Sequence, residues 1–416
     1  MTCASSNHAG PSRCLDAFPI ALNQATDGKR WCRSWYTSTK ELQLASLELC
    51  AACRSVPTLE VKVEKGTPTR LWMGAPTRET RSAKRLSAMR VPVARARVVT
   101  WKLSASGLQK MGDALSKAKY FIFDQAFNGN VRGVAWPREL RGLTFGQSFN
   151  QPITEMAWPA SLQNLWFYCD FKQSLQGISW PVTLQTLYFG GAVDQPLVGV
   201  SWPPSLEMLT LLSFEGDFNQ AIDTESWPRS LKIFMLSWGF NQPIGGARWP
   251  TFLEQLTFGF TFNQPIVEAT WPPSLKKVEF GGKFNQPIVG ATWSPSLEKL
   301  TFGRDFNQPV ATVAWSPSLK VLRFGMRFNQ PIADVTWPSS LLKVTFGDFF
   351  DQPLAGVAWP ASLRELAFSR DFSLPSESFE WPASLEKLTI ARRPKDPLPT
   401  WPGVQVFGIW RPYWES

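Results

Sequence analysis

Histidine is almost missing from this chain: His8 is the single copy in 416 residues. Proton-transfer chemistry near neutral pH leans first on histidine, so general acid–base and nucleophilic mechanisms have little to work with. No nucleophile elbow, phosphate-binding loop, HExxH or acidic calcium loop occurs beyond residue 102, and no carboxylate pair recurs or stands out. The expectation is a protein that is not an enzyme. Long apolar runs are also missing: no 18 consecutive apolar residues occur, so no membrane-spanning helix is expected. The start lacks a basic segment followed by an unbroken apolar stretch, which argues against a secretory signal. An organelle transit segment stays open, with Asp16 and Asp27 against it. Cysteine is scarce and lopsided: Cys3, Cys14, Cys32, Cys50 and Cys53 lie near the start, and Cys169 stands alone beyond them. A secreted protein of this kind would pair cysteines at its ends, so a reducing, cytoplasmic setting is expected. Cys50 and Cys53 have the spacing of half a zinc site, but no second pair follows. Neither a metal nor a cofactor is expected.

What the chain has instead is tryptophan on a fixed beat. Trp136, Trp158, Trp180 and Trp202 stand 22 residues apart. After one gap of 25, the same interval runs through Trp227, Trp249, Trp271, Trp293, Trp315, Trp337, Trp359 and Trp381. A period of this size marks a solenoid, whose coils bury their apolar sides only by stacking on neighbours. Each coil reads W-P-x-S-L-x-x-L-x-F-G-x-x-F-N-Q-P-I, as from Trp271 to Ile288. The alternation at Leu300-Thr301-Phe302 fits a short half-buried strand. One strand per coil stacks in parallel, and about twelve coils at roughly 4.8 Å per step give a sheet roughly 50–60 Å long. No stretch between strands keeps a helical period, so the return side is expected to be extended or a short 3₁₀ turn. The fold class is therefore mainly β: a single-sheet parallel solenoid of about twelve leucine-rich-repeat-like coils.

Several recurring residues have structural readings. The glycines after the strands (Gly146, Gly190, Gly259, Gly281, Gly303, Gly325, Gly347) supply either positive φ or close backbone approach. The prolines belong at corners. Asn128, Asn150, Asn219, Asn241, Asn263, Asn285, Asn307 and Asn329 form a ladder whose amides serve backbone groups at a corner. Asp194 and Asp351 can accept in the same place, whereas Lys172 and Ser373 interrupt the row. The tryptophan row is expected to line the core: its sameness from coil to coil fits packing, and a recognition surface would vary.

The tetrapeptide Phe262-Asn263-Gln264-Pro265 and its copies resemble the FNIP repeat, a 22-residue relative of the leucine-rich repeat. The resemblance covers about residues 121–400. It implies a protein-interaction scaffold, often joined to F-box or kinase modules, neither of which is visible upstream. This chain departs from the family in carrying Trp where Leu commonly precedes the Pro, a swap that keeps only apolarity and bulk.

Charge divides the chain unevenly. Residues 1–102 hold 17 basic and 7 acidic side chains, while residues 103–416 hold 26 of each. The basic arm (1–102) is expected to be mostly disordered, with a short helix over 38–53 opened by Ser38 and Glu41. A cap helix over 106–119 and a degenerate first coil occupy 103–135, the repeats run over 136–400, and a cap closes 401–416. Arg392, Arg393, Lys395 and the prolines Pro397 and Pro399 fit protection of an open sheet edge.

Recognition is sought where coils differ. Outward strand positions are Thr144, Trp166, Tyr188, Thr210, Met235, Thr257, Glu279, Thr301, Arg323, Thr345, Ala367 and Thr389. Most suit an exposed, bland sheet. Trp166, Tyr188 and the nearby Tyr168 break the pattern, and with Met235 and Arg323 they are the candidate protein-binding residues. The 25-residue unit places three extra residues within Leu209–Asp217, and Lys276, Lys277, Lys299, Lys320, Arg323 and Lys343 tint later coils basic. The function expected is a repeat scaffold binding another protein through its variable strand face. Two alternatives stand beside it: tethering by the basic arm to nucleic acid or an anionic surface, and carbohydrate or cell-surface binding through exposed aromatics.

Overall fold

The computed structural model describes residues 119–409 apart from 124–125, 170, 192, 194, 212–217, 223–226, 370–371, 374, 376–378, 392–400 and 402, plus strand backbone at 58–62, 72–75, 78–79 and 95–98. The expected helix over 38–53, the rest of the arm, the cap helix over 106–118, Asp194 and the charged segment 392–400 lie outside the described residues. In the arm, β1 (Thr58–Lys62) pairs in parallel with β4 (Arg95–Val98) and antiparallel with β2 (Trp72–Ala75), which pairs with β3 (Arg78–Glu79). The repeats begin with β5 (Tyr120–Phe123), against which β4 lies in parallel, then β6 (Gly142–Phe145), β7 (Asn164–Phe167), β8 (Thr186–Phe189) and β9 (Met208–Leu211). They continue through β10 (Ile233–Met235), β11 (Gln255–Thr257), β12 (Lys277–Glu279), β13 (Lys299–Thr301), β14 (Val321–Arg323) and β15 (Lys343–Thr345). β16 (Glu365–Phe368), β17 (Lys387–Ala391) and β18 (Gln405–Ile409) complete the stack.

From β5 to β18 every strand lies parallel to the next in strict repeat register, as Leu256 on Val278 and Leu300 on Leu322. The register passes through the longer unit undisturbed, with Leu209 opposite Phe234. Its three extra residues therefore fall after β9, within 212–217, outside the described residues. No described residue is helical. Each coil returns through corners closed by i to i+3 backbone bonds. In one coil these are Leu275 N–H to Pro272 C=O at 3.0 Å, Phe284 to Gly281 at 3.2 Å and Ala291 to Ile288 at 3.1 Å. Proline supplies its carbonyl at the first corner, where its missing N–H costs nothing.

The core is a column of aromatic and aliphatic rows. Within a coil the two phenylalanines stack face to face, as Phe302 on Phe306 at 4.0 Å; between coils Phe284 stacks on Phe306 at 6.0 Å. The row spacings show curvature. Strands in a sheet stand about 4.8 Å apart. Behind this sheet, Phe280 and Phe302 are 5.7 Å apart, and Trp271 and Trp293 are 6.4 Å apart. Rows that widen behind the sheet place the strands on the inner, concave side. Outward-facing strand side chains therefore converge, and the structure corrects the reading of a bland exposed sheet. Thr210, Thr301, Glu279 and Met235 all face outward from the strands yet are buried by their neighbours.

Glycine after the strand serves closeness, and positive φ belongs elsewhere. Gly281, Gly303 and Gly325 adopt no positive φ; a Cβ on any of them would overlap the carbonyl of the corresponding glycine one coil earlier. Positive φ is found instead at glycines three residues before certain tryptophans, such as Gly356 at φ 80°.

Two polar ladders stitch the corners. Asn285 Oδ1 accepts the backbone N–H of Asn307 at 2.9 Å and the side-chain amide of Gln308 at 3.1 Å. The same double bond recurs at Asn263 and Asn307. The run from Asn219 passes to Asp351, whose carboxylate accepts from Ser373 N–H at 2.7 Å. A shorter run from Asn128 through Asn150 ends at Lys172, which donates its N–H and has no acceptor to pass on. The glutamine role was not read from sequence, although its fixed place after Asn was the signal. On the opposite corner, Ser274 Oγ donates to the carbonyls of Thr251 and Leu253, both at 2.8 Å. Asn285→Ala removes the acceptor for two donors and is expected to cost about 1–3 kcal/mol in denaturant titration. Asn285→Asp, which copies Asp351, is expected to recover most of that loss; equal losses in both would show that shape, and not the acceptor, matters here.

Candidate functional site

The concave face carries two outward rows from each strand. The first row runs Tyr120, Gly142, Asn164, Thr186, Met208, Ile233, Gln255, Lys277, Lys299, Val321, Lys343, Glu365 and Lys387. The second holds Trp166 opposite Tyr188 on adjacent strands, and ends with Arg323, Thr345, Ala367 and Thr389.

Aromatics crowd the early coils because glycines make room for them. A methyl at Gly142 would meet the Tyr120 ring and stand 3.2 Å from Trp166. The Tyr188 ring lies over Gly190, with Tyr168 beside it. The rings of Tyr168 and Tyr188 are 5.2 Å apart and tilted by 48°. All four aromatics are half-buried, leaving ring surface open to a partner. Burial raises the Tyr168 phenol above the ordinary phenol range; burial, then the neighbouring Tyr168, raises Tyr188 far above it. Both tyrosines stay neutral in ordinary solution, each an apolar ring with a polar tip.

The later coils are basic in the same rows. Lys277 reaches Glu279 at 3.2 Å, and Lys343 bonds Glu365 at 2.6 Å. Glu365 is held below the usual carboxylate range, first by its bond to Lys343 and then by the charges of Lys343, Lys387 and Arg323. Those cations therefore converge on one neighbourhood.

The corners that carry the Phe-Asn-Gln-Pro ladder also identify the repeat. The FNIP Repeat family matches residues 149–192, 240–283, 284–312 and 316–349. Over the matched residues, the coils of this solenoid are FNIP repeats. Among solved structures it is similar to CroV588, described as a novel circular LRR protein, at 29% identity and a TM-score of 0.62, over 76% of this chain and 49% of that one. Toll, from the Drosophila Toll–Spatzle complex, shares the fold alone: 12% identity and a TM-score of 0.50, over 77% of this chain and 52% of that one. The chain thus spans about half the length of each of these two structures. No curated protein matches it. Among its described residues no helix is long and apolar enough to cross a membrane.

Of the candidate binding residues, the FNIP solenoid brings together Trp166, Tyr168 and Tyr188. It adds Tyr120, which by sequence belongs only to a degenerate strand; the unusual Gly142 opposite it is the signal in the sequence. Met235 lies two strands beyond Tyr188 and is only 9% exposed, a correction to its place as an open contact. Arg323 lies six strands from Tyr188, in the basic half. Lys276 and Lys320 leave the strand face altogether: they sit in the row just before the strands and pair with Glu254 and Glu298 at 3.1 and 3.0 Å. The tryptophan row stacks coil on coil behind the sheet, some members buried and the rest partly so. Its indole Nε1 atoms are buried without an oxygen or nitrogen acceptor, so the row offers a ligand no hydrogen-bond donor.

Proposed function

We propose that the FNIP solenoid is a non-enzymatic scaffold that binds another protein along its concave strand face, with the aromatic cluster as anchor. The observation that carries this reading is the cluster itself. Four large rings share a face whose other outward positions carry mainly Thr, aliphatic and charged side chains. Half-buried Tyr and Trp are pre-ordered before contact and give large apolar area at small entropic cost, which is why such residues dominate binding hot spots. Repeat solenoids resembling leucine-rich-repeat proteins commonly mediate protein binding. A cytoplasmic setting is part of the same reading, supported by the scarcity of cysteine beyond residue 102, where Cys169 is the single copy in the sequence.

The test is affinity capture from native extract with the full chain, compared with a Trp166→Ala/Tyr188→Ala variant of matched thermal midpoint. Partners retained by the parent and lost by the variant are expected, since two anchor truncations at a hot spot cost about 2 kcal/mol or more each. Identical captures would remove the aromatic face from consideration as the anchor.

A further inference from the structure

The concave face is uncharged and rich in aromatic and aliphatic side chains over its first half, and net cationic over its second. From β7 to β10 the two rows hold Trp166, Tyr188, Met208, Ile233 and Met235, with the uncharged Asn164, Thr186 and Thr210 among them. From β12 to β17 they hold Lys277, Lys299, Arg323, Lys343 and Lys387 against the carboxylates Glu279 and Glu365. That is five cations to two anions. Residues 103–416 are balanced overall, and in the row just before the strands the later cations pair with neighbouring carboxylates, as Lys232–Glu207 at 3.2 Å and Arg364–Glu386 at 3.4 Å. The later half of the face that curvature makes concave is thus net positive, and there converging charges reinforce one another's potential. Both carboxylates are already engaged from within: Glu279 by Lys277 and, at 4.0 Å, Lys299, and Glu365 by Lys343. Arg323 Nε is buried with no hydrogen-bond partner, and the Lys387 amine rests over the Phe407 ring at 4.9 Å.

We infer that the occupant of this face is an extended, Asp- and Glu-rich segment of a partner protein, with a bulky apolar residue at one end, lying across the strands so that the apolar end meets the aromatic cluster and the acidic run meets the lysine half. The inference rests on the protein-binding reading above and specifies its partner. The spacing suits one continuous segment. Four strand steps separate Tyr188 from Lys277, roughly 19 Å at about 4.8 Å each, which about six extended residues span. Other occupants fit less well. A single nucleic acid strand wants aromatics interleaved with cations so that each base stacks beside its phosphate; here the two are segregated, and carboxylates stand among the cations. The chain's own arm, with 17 basic and 7 acidic residues, would be repelled by the lysine half.

The experiment uses the full chain and fluorescent synthetic probes read by anisotropy. One probe carries Leu-Phe, a Gly-Ser spacer of about six residues and a run of about six Glu. It is made in both chain directions, with an all-Gln counterpart, and an oligothymidylate of similar length is run alongside. The Glu probe is expected to bind roughly tenfold or more tightly than the Gln probe and to weaken as salt rises. Lys299→Gln/Arg323→Gln, two outward substitutions, is expected to weaken the Glu probe roughly tenfold and leave the Gln probe unchanged. Equal binding of Glu and Gln probes, no binding of either, or indifference to salt overturns the acidic assignment. The oligothymidylate displacing the Glu probe reassigns the face to nucleic acid. The two readings fail separately: if extract partners still depend on Trp166 and Tyr188 while the Glu probe fails, only the acidic specificity falls.

Discussion

Phe306→Ala is expected to destabilise the solenoid by about 3–5 kcal/mol, the range for large aromatic truncations in a packed core. Phe306 is 0% exposed and touches rings on three sides: Phe302 of its own coil at 4.0 Å, and Phe284 and Phe328 in the coils before and after at 6.0 and 6.1 Å. Deleting it leaves a void in a column where neither neighbour can close in, because each is held by its own coil's pair. The stack transmits only nearest-neighbour contacts, so this loss divides the array into an upper and a lower block. Denaturant titration followed by tryptophan fluorescence is therefore expected to show a lowered and broadened transition, since each block retains part of the tryptophan row. A loss below about 1 kcal/mol would mean that the coil collapses onto the gap and that stacking geometry matters less than total apolar volume.

Much of this was legible from the period alone. A 22-residue repeat with Leu-x-Phe alternation requires an in-register parallel sheet, and the pairing of Leu300 with Leu322 follows from it. The second phenylalanine and the asparagine after it recur because one fills the column and the other closes the corner, and both roles repeat with the strand. Curvature could not be read, because it emerges from small differences between row spacings that no single residue encodes. Without it, Thr210 and Glu279 read as exposed by parity alone, whereas the concave side buries them. The lysines illustrate the same limit: Lys276 and Lys277 are adjacent in sequence, yet one pairs outside the strand row and the other belongs to the concave face. The aromatic cluster was partly visible, since Trp166 and Tyr188 interrupt a row of small residues. Tyr120 was missed because its coil is degenerate, and what admits its ring is a glycine one coil later.

Gly303→Ala is expected to be worse than its single added methyl suggests, with a loss above about 3 kcal/mol, beyond ordinary overpacking. The reason is what the methyl would meet. At Gly303 a Cβ would overlap the carbonyl oxygen of Gly281, which is backbone and cannot rotate away, and Gly303 presents its own carbonyl in turn to Gly325. Relief requires the two coils to separate, which loosens the strand pairing of β12 with β13 and the Phe280–Phe302 stack together. Gly356→Ala is the informative control. It forces a side chain onto φ 80° but meets nothing within 4 Å, so it should cost only the local left-handed penalty of about 1–2 kcal/mol. Measured side by side, Gly303→Ala should lower the denaturation midpoint well below that of Gly356→Ala. The opposite order would mean that the coils can part slightly at little cost, and that backbone conformation at the return corners, more than close approach behind the strands, determines where this repeat requires glycine.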